Sequence, residues 1–434
     1  MLSKKKGKRL AILASGGPAP GINSVINAAT IEAINLGWEV IGIRDGFGGL
    51  RDDRVRRLTL DDVAFIHYEG GCILGMSRVN PRKEKETMEK IVATIKRHEI
   101  DMLLTIGGDD TAFGCREIAA EVGEGLRTVH VPKTIDNDLP LPEGVPTFGY
   151  TTARQVGVEL VKNLVRDART CSRWYIAVSM GRQAGHLALG IGKAAGANLT
   201  LIPEDFPDRL VSLDEIADLL EGAVIKSLVR NRPWGVAVLA EGLIERMDPK
   251  EIGERLPDLK RDSFGHVRLG DVQLGEWLAR ELTERLKRRQ IDMRFNEVKI
   301  GYELRCADPV PFDIEYTRDL GFAAVRFLAE GGTDAMVMIV DGKREMMAFE
   351  QLRDPETGRT IVRGVNTSSE SYLVARRYMQ RLTRLDFDDP QDVERLADAA
   401  NCTADEFRAY FEHLVADEPP GFGWEDIVRD SIDF

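Results

Sequence analysis

The sequence predicts an α/β fold: two doubly wound, Rossmann-like domains with the site between them, an inserted helical segment and a C-terminal helical extension. Three observations carry this. Short apolar runs alternate with helix-period stretches, the mark of βαβ units. Several of those runs end in glycine-rich turns. The series also starts afresh near Tyr150, and 434 residues exceed one ordinary core.

Residues 9–14 form the first expected strand, running into Ser15-Gly16-Gly17-Pro18-Ala19-Pro20-Gly21 and then a helix with Val25, Ile26 and Ala29 on one face. Strand, glycine turn and helix together offer backbone N–H groups and a helix dipole to a phosphate. Tight βα turns also need glycine for geometry alone. A strand over 38–43 follows, then the glycine-rich Gly70-Gly71-Cys72-Ile73-Leu74-Gly75-Met76-Ser77-Arg78, which ends in a cation. Met88, Ile91, Val92 and Ile95 fall on one helical face, and residues 101–106 form a buried strand delivering the turn Gly107-Gly108-Asp109-Asp110-Thr111.

The apolar run 128–131 reads as a short buried strand ending at Pro132-Lys133-Thr134-Ile135-Asp136-Asn137-Asp138. Ligands of open α/β sheets bind outside such carboxyl ends. Asp136 and Asp138 alternate, so in extended chain they point the same way, and one could hold a metal while the other takes a proton. Taken alone, the run is equally an acidic surface turn.

From Tyr150 the pattern repeats: helix 152–167, strand 175–179, the turn Met180-Gly181-Arg182, a helix through Leu187, strand 199–202, helix 213–229 and strand 234–240 ending on Glu241-Gly242. Residues 244–290 are more polar and helical and look inserted. A strand over 297–304 carries Tyr302 and Arg305 at its end. Helix 314–330, strand 335–340 and helices over 368–434 complete the chain. The implied division is 8–148 with about 306–365 as one domain, 149–305 with the insertion at about 244–290 as the second, and 366–434 as a helical extension packing on the body.

A formal net charge of −12, from Lys+Arg 59 against Asp+Glu 71, argues against broad nucleic-acid or anionic-membrane binding. The start, Lys4-Lys5-Lys6 and Lys8-Arg9, is basic but short and reads as a solvated tail. Cys72, Cys115, Cys171, Cys306 and Cys402 lie far apart without a Cys-x-x-Cys pair, so reduced thiols and a cytoplasmic setting are expected. No run approaches the length of a membrane span, and no signal-peptide pattern opens the chain.

The strand ends thus collect glycine turns, cations (Arg78, Lys133, Arg182, Arg305) and carboxylates (Asp109, Asp110, Asp136, Asp138, Glu241). No histidine–serine pair or thiol is placed for acyl transfer. Cations, Mg²⁺-ready carboxylates and glycine N–H groups suit phosphoryl transfer, where the protein positions two anions, neutralises charge and supplies a base.

Gly16-Gly17-x-Ala19-Pro20-Gly21-x-Asn23, Gly107-Gly108-Asp109, Thr134-Ile135-Asp136-Asn137-Asp138, Met180-Gly181-Arg182 and Glu241-Gly242 resemble the phosphofructokinase family in order and approximate spacing. The resemblance covers residues 8 to about 345. Gly265-His266-Val267-Arg268-Leu269 also looks like the longer members. The resemblance implies Asp136 as general base toward the 1-hydroxyl of fructose 6-phosphate, Asp109 as Mg²⁺ ligand and Asp138 in support. It implies Thr134, Ile135, Asp136, Met180, Gly181, Arg182, Glu241, Tyr302, Glu303, Leu304 and Arg305 around the sugar phosphate, and Gly17, Arg78, Gly108, Asp110 and Lys133 around the donor. Arg173 falls where the family reaches across a subunit boundary, which implies a homodimer or homotetramer. Two positions depart from the pattern: Asn296 stands where many members carry arginine six residues before Tyr302, and Pro18 replaces the aspartate common after the first glycine pair.

Asp110 and Lys133 look like the diphosphate-dependent branch. ATP-using bacterial members resemble Gly-Gly-Asp-Gly, with glycine before Thr-Ile-Asp. A carboxylate at 110 fills the space of a nucleotide's α-phosphate, and two unit charges at ~4 Å repel by about 4 kcal/mol at an effective dielectric near 20. That is on the order of a thousandfold in affinity. Some ATP-using relatives also carry the lysine, so Asp110 discriminates better. Alternatives are an ATP-dependent 6-phosphofructokinase and a catalytically inactive phosphometabolite-binding subunit. A lipid- or NAD-kinase reading predicts neither Thr-Ile-Asp-Asn-Asp nor Met-Gly-Arg.

Overall fold

The strands, in chain order, are β1 (Arg9–Ala14), β2 (Glu39–Ile43), β3 (Val55–Leu58), β4 (Met102–Gly107), β5 (Arg127–Thr134), β6 (Phe148–Gly149), β7 (Trp174–Ser179), β8 (Leu199–Leu201), β9 (Gly235–Ala240), β10 (Phe295–Ile300), β11 (Ala335–Val340) and β12 (Lys343–Ala348). The computed structural model describes residues 7–207, 209–255, 272–352 and 361–416. They divide into two units, the first from residues 7–157, 301–352 and 361–363, the second from residues 158–207, 209–255, 272–300 and 364–416. The basic run at Lys4 to Lys6 and the motif Gly265 to Leu269 lie outside the described residues, while Arg9, expected in a solvated tail, is buried at the start of β1 and paired with Glu39.

In unit 1 an 8-stranded sheet has the order β12-β11-β5-β4-β1-β2-β3, with β6 paired to β5. The run β2-β1-β4-β5-β11 is parallel, and β3 and β12 close its two edges in antiparallel pairing. Strand alternation divides its apolar residues into two cores. Leu10, Ile12 and Ala14 face one layer with Val25, Ile26 and Leu320, while Ala11 and Leu13 face the other with Ile91, Ile95 and Ile118. The helices Ile22–Asn35 and Pro311–Ala329 cover the first face, and Lys85–Arg97 and Asp109–Val122 the second. Fully burying each such aliphatic side chain stabilises by about 1.5–3 kcal/mol.

Unit 2 holds a 4-stranded sheet, β10-β7-β9-β8, parallel throughout. Helix Leu213–Val229 starts at Ser212, whose Oγ accepts from Glu215 N, as an N-cap should. Helix Leu274–Arg288 buries Leu274, Trp277, Leu278, Leu282 and Leu286, so the chain around 274–288 forms part of this unit's packed layers. The helices Pro390–Ala399 and Ala404–Phe411 of the C-terminal segment bury Val393, Leu396, Phe407 and Phe411 in a cluster with Leu382, Phe387 and Ile225.

Local differences from expectation have simple causes. The strand expected over 128–131 runs from Arg127 to Thr134, because β4 and then β6 pair with its far end. The strand expected over 297–304 stops at Ile300, and Tyr302–Arg305 forms a helical turn after Gly301. The edge strands β3 and β12, rich in Arg and Lys, lacked the apolar run that marks a buried strand.

Candidate active site

The strand order of unit 1 reverses between β1 and β4, and a crevice opens at such a switch point. The glycine segments meet there. Ser15 N donates to Ile106 O at 2.9 Å, and both Ser15 Oγ and Gly16 N donate to Ser77 O at 2.9 Å. Gly16 takes φ 90°, in the left-handed region that glycine enters freely.

Three cations converge on Gly17. Lys133 Nζ donates to Gly17 O at 2.5 Å. A Cβ on Gly17 would lie 3.6 Å from Arg78 Nη2 and 3.7 Å from Arg305 Cζ. Lys133 is buried and Arg78 exposed, and the Arg305 guanidinium lies 5.1 Å over the Tyr302 ring. Arg305, expected with the sugar-phosphate residues, therefore stands beside the turn expected to hold the donor. Tyr302 and Glu303 are exposed, whereas the Leu304 side chain is fully buried and leaves only its backbone to a ligand.

Asp109 and Asp110, expected in a turn, instead open the helix Asp109–Val122 behind Gly108. Carboxylates in the first turn are stabilised by the helix dipole. A Cβ on Gly107 would meet Thr111 Oγ1 at 2.2 Å, so only glycine lets this helix start so close to β4. Beneath the turn, fully buried His130 bridges Gly107 O at 3.0 Å and Thr105 Oγ1 at 2.8 Å. Burial pushes its pKa down to about 3, with Lys133 adding to the effect and the Gly107 carbonyl and Asp109 opposing it. The ring is therefore neutral. A carbonyl only accepts, so Nε2 carries the proton and Nδ1 accepts from Thr105.

The acidic run departs from extended geometry. Asn137 takes φ 58°, so the alternation argument for Asp136 and Asp138 fails. Local hydrogen bonds shape the loop. Asp136 N donates to Thr134 Oγ1 at 3.0 Å, Thr147 Oγ1 to Thr134 O at 2.8 Å, and Thr147 N to Asn137 Oδ1 at 3.0 Å. Thr134, Ile135, Asp136 and Asp138 are all buried. Arg363 donates into the same loop. His130, Thr147 and Arg363 escaped sequence reasoning, since a lone His, Thr or Arg far along the chain carries no periodic or motif signal.

In unit 2 the turns after β7 and β9 are tied together. Gly181 N and Arg182 N both donate to Glu241 Oε1, at 3.1 and 3.0 Å. Arg182 takes φ 49°, and a Cβ on Gly242 would lie 2.2 Å from Arg182 O. Met180 N donates to Ile300 O at 2.9 Å, so the turn after β7 is also tied to the end of β10. Asn296 lies on β10, paired with Tyr175. Arg173 Nε sits 3.4 Å from Asp167 Oδ2, an ion pair on the unit's own surface.

Among the described residues no group of three or more His, Cys, Asp or Glu side chains forms a ready-made metal cluster. Mg²⁺ is commonly held by one or two carboxylates together with substrate phosphates. The hard oxygen donors of Asp109 and Asp138 fit that mode of binding. None of the described helices is long and apolar enough to cross a membrane.

Comparison with known proteins places the chain in a family. The family described as Phosphofructokinase matches residues 9–328. The chain is 50% identical over 416 residues to the pyrophosphate–fructose 6-phosphate 1-phosphotransferase of Thermotoga maritima, covering 94% of this chain and 99% of that protein. It is 46% identical to the protein of the same name from Naegleria fowleri, covering 96% and 98%. The solved pyrophosphate-dependent phosphofructokinase of Nitrosospira multiformis shares the fold with a TM-score of 0.66 at 18% identity, over 98% of this chain and 96% of that one. The chain belongs to the phosphofructokinase family.

Proposed function

We propose that this chain transfers a phosphoryl group from diphosphate to the 1-hydroxyl of fructose 6-phosphate, giving fructose 1,6-bisphosphate and phosphate. The reaction runs both ways and serves glycolysis or gluconeogenesis. The relatives named above support it. The observation that carries it is Lys133 bonded to Gly17 O, close to Arg78 and Arg305, with a carboxylate rather than glycine at position 110.

In this reading Asp136 takes the proton from the sugar's 1-hydroxyl. That oxygen attacks one phosphorus, the bridging P–O bond breaks, and its electron pair leaves with phosphate. Lys133, Arg78 and Arg305 offset charge on the donor and leaving group, with the N–H groups of Gly17 and Gly108 nearby. Asp110 excludes a nucleotide's α-phosphate. Thr134, Ile135, Met180, Gly181, Arg182 and Glu241 hold the sugar phosphate, with Tyr302, Glu303 and the Leu304 backbone. Asp109, supported by Asp138, would hold Mg²⁺, which when bound supplies charge neutralisation on the phosphates. Arg173 reaches toward a second copy in a homodimer or homotetramer, and the enzyme works in the cytoplasm.

Purified protein with fructose 6-phosphate and Mg²⁺ tests the donor directly, with diphosphate and ATP compared side by side. Turnover with diphosphate and little with ATP is expected. The reverse preference would leave an ATP-dependent 6-phosphofructokinase. Asp136→Ala should lose about 10²–10⁴-fold in kcat, the range for a general base, with a modest change in KM for the sugar phosphate.

A further inference from the structure

We propose that Arg363 is a positioning residue for this reaction: its guanidinium holds the backbone of the loop 136–147 in the shape that presents Asp136. The inference rests on the reading of Asp136 as the base. Arg363 lies beyond the matched family region, which ends at residue 328, and no motif pointed to it.

All three guanidinium nitrogens are engaged. Nε and Nη2 donate to Asn137 O at 3.2 and 3.1 Å, and Nη2 also to Asn137 Oδ1 at 2.6 Å. Nη1 reaches Val145 O at 2.8 Å, Leu141 O at 3.2 Å and Pro142 O at 3.3 Å. The backbone N of Arg363 donates to Asp138 O at 2.8 Å. One planar fork therefore gathers both ends of the loop. It also grips the carbonyl and side chain of the residue whose left-handed φ turns the chain between Asp136 and Asp138. Burial lowers the guanidinium's pKa, against the opposing pull of the Asp138 carboxylate.

A merely stabilising surface arginine would contact a neighbour or two. This one supplies donors to four carbonyls of one loop, those of Asn137, Leu141, Pro142 and Val145. Lysine cannot replace it, because a single ammonium has no planar fork to span Asn137 and Val145. Misplacing a reacting group by about 1 Å costs on the order of a hundredfold in rate.

The test compares wild type, Arg363→Ala, Arg363→Lys and Arg363→Gln with whichever phosphoryl donor the wild type turns over. Arg363→Ala should lose about a hundredfold in kcat, with KM for both substrates little changed. Millimolar guanidinium, far below denaturing concentration, should restore much of the rate to Arg363→Ala, whereas Arg363→Lys should stay impaired. Amide exchange over residues 136–147 should quicken in the variants and slow again with added guanidinium. Wild-type kcat in Arg363→Ala, or loss without rescue and with unchanged exchange in that loop, overturns the proposal. Should Arg363→Ala fail to fold, Arg363→Gln carries the same comparison. Should Asp136→Ala keep its turnover, the base assignment falls, and exchange across the loop still decides whether Arg363 holds it.

Discussion

Lys133 Nζ donates to the carbonyl oxygen of Gly17 across 116 residues of chain, at 2.5 Å, and so ties the end of β5 to the turn after β1. With Arg78 and Arg305 beside the same glycine, the bond makes a compact cationic corner at the point where the strand order reverses. A small, highly charged anion suits such a corner better than an extended one.

Lys133→Met removes that ammonium with little change in volume. Hydrogen bonds to charged groups contribute about 1.5–3 kcal/mol, so KM for diphosphate should rise by about ten- to a hundredfold. KM for fructose 6-phosphate should change little. Initial-rate measurements varying each substrate in turn check this, and equal effects on both would place Lys133 elsewhere in the mechanism.

Asp110→Gly vacates space and one negative charge in the first turn of the helix Asp109–Val122. The variant should use ATP markedly better than wild type. Parallel kinetics with the two donors give the answer. If neither changes, the carboxylate at 110 is not what excludes nucleotides.

His130 should stay neutral in the folded protein. Its pKa falls from 6.5 to about 3, so between those values the unfolded chain binds a proton that the folded one refuses. Stability from this residue is therefore full above pH 6.5 and declines as pH falls toward 3, by at most about 1.4 kcal/mol per unit. Nitrogen-15 NMR of the ring should show the Nε2–H tautomer unchanged from pH 8 to 5. Titration near 6.5 would mean that water reaches the ring, since burial is what holds the pKa down.

Gly242→Ala should injure the sugar-phosphate side selectively. The new Cβ would press on Arg182 O, which backs a residue already in left-handed conformation. Overpacking of this kind costs about 1–3 kcal/mol. KM for fructose 6-phosphate should rise while KM for diphosphate holds, and a structure of the variant should show the turn after β7 displaced.

Residues 9–14 and 213–229 were legible end to end because apolar period and flanking punctuation agreed there. The glycine turns were legible as well, and contiguous motifs single out Asp109, Asp136 and Arg182 as candidates. Local chemistry thus determined the fold class and the parts list. Only tertiary structure decided how the parts are held. Pairing with β4 and then β6 carried β5 on through Lys133, the left-handed Asn137 bent the acidic run, and the chain after Gly301 forms a helical turn that puts Arg305 beside Gly17. His130 and Arg363 serve loops distant from them in sequence. Hydrogen-bond partners so far apart along the chain leave no local periodicity, and only folding brings donor to acceptor.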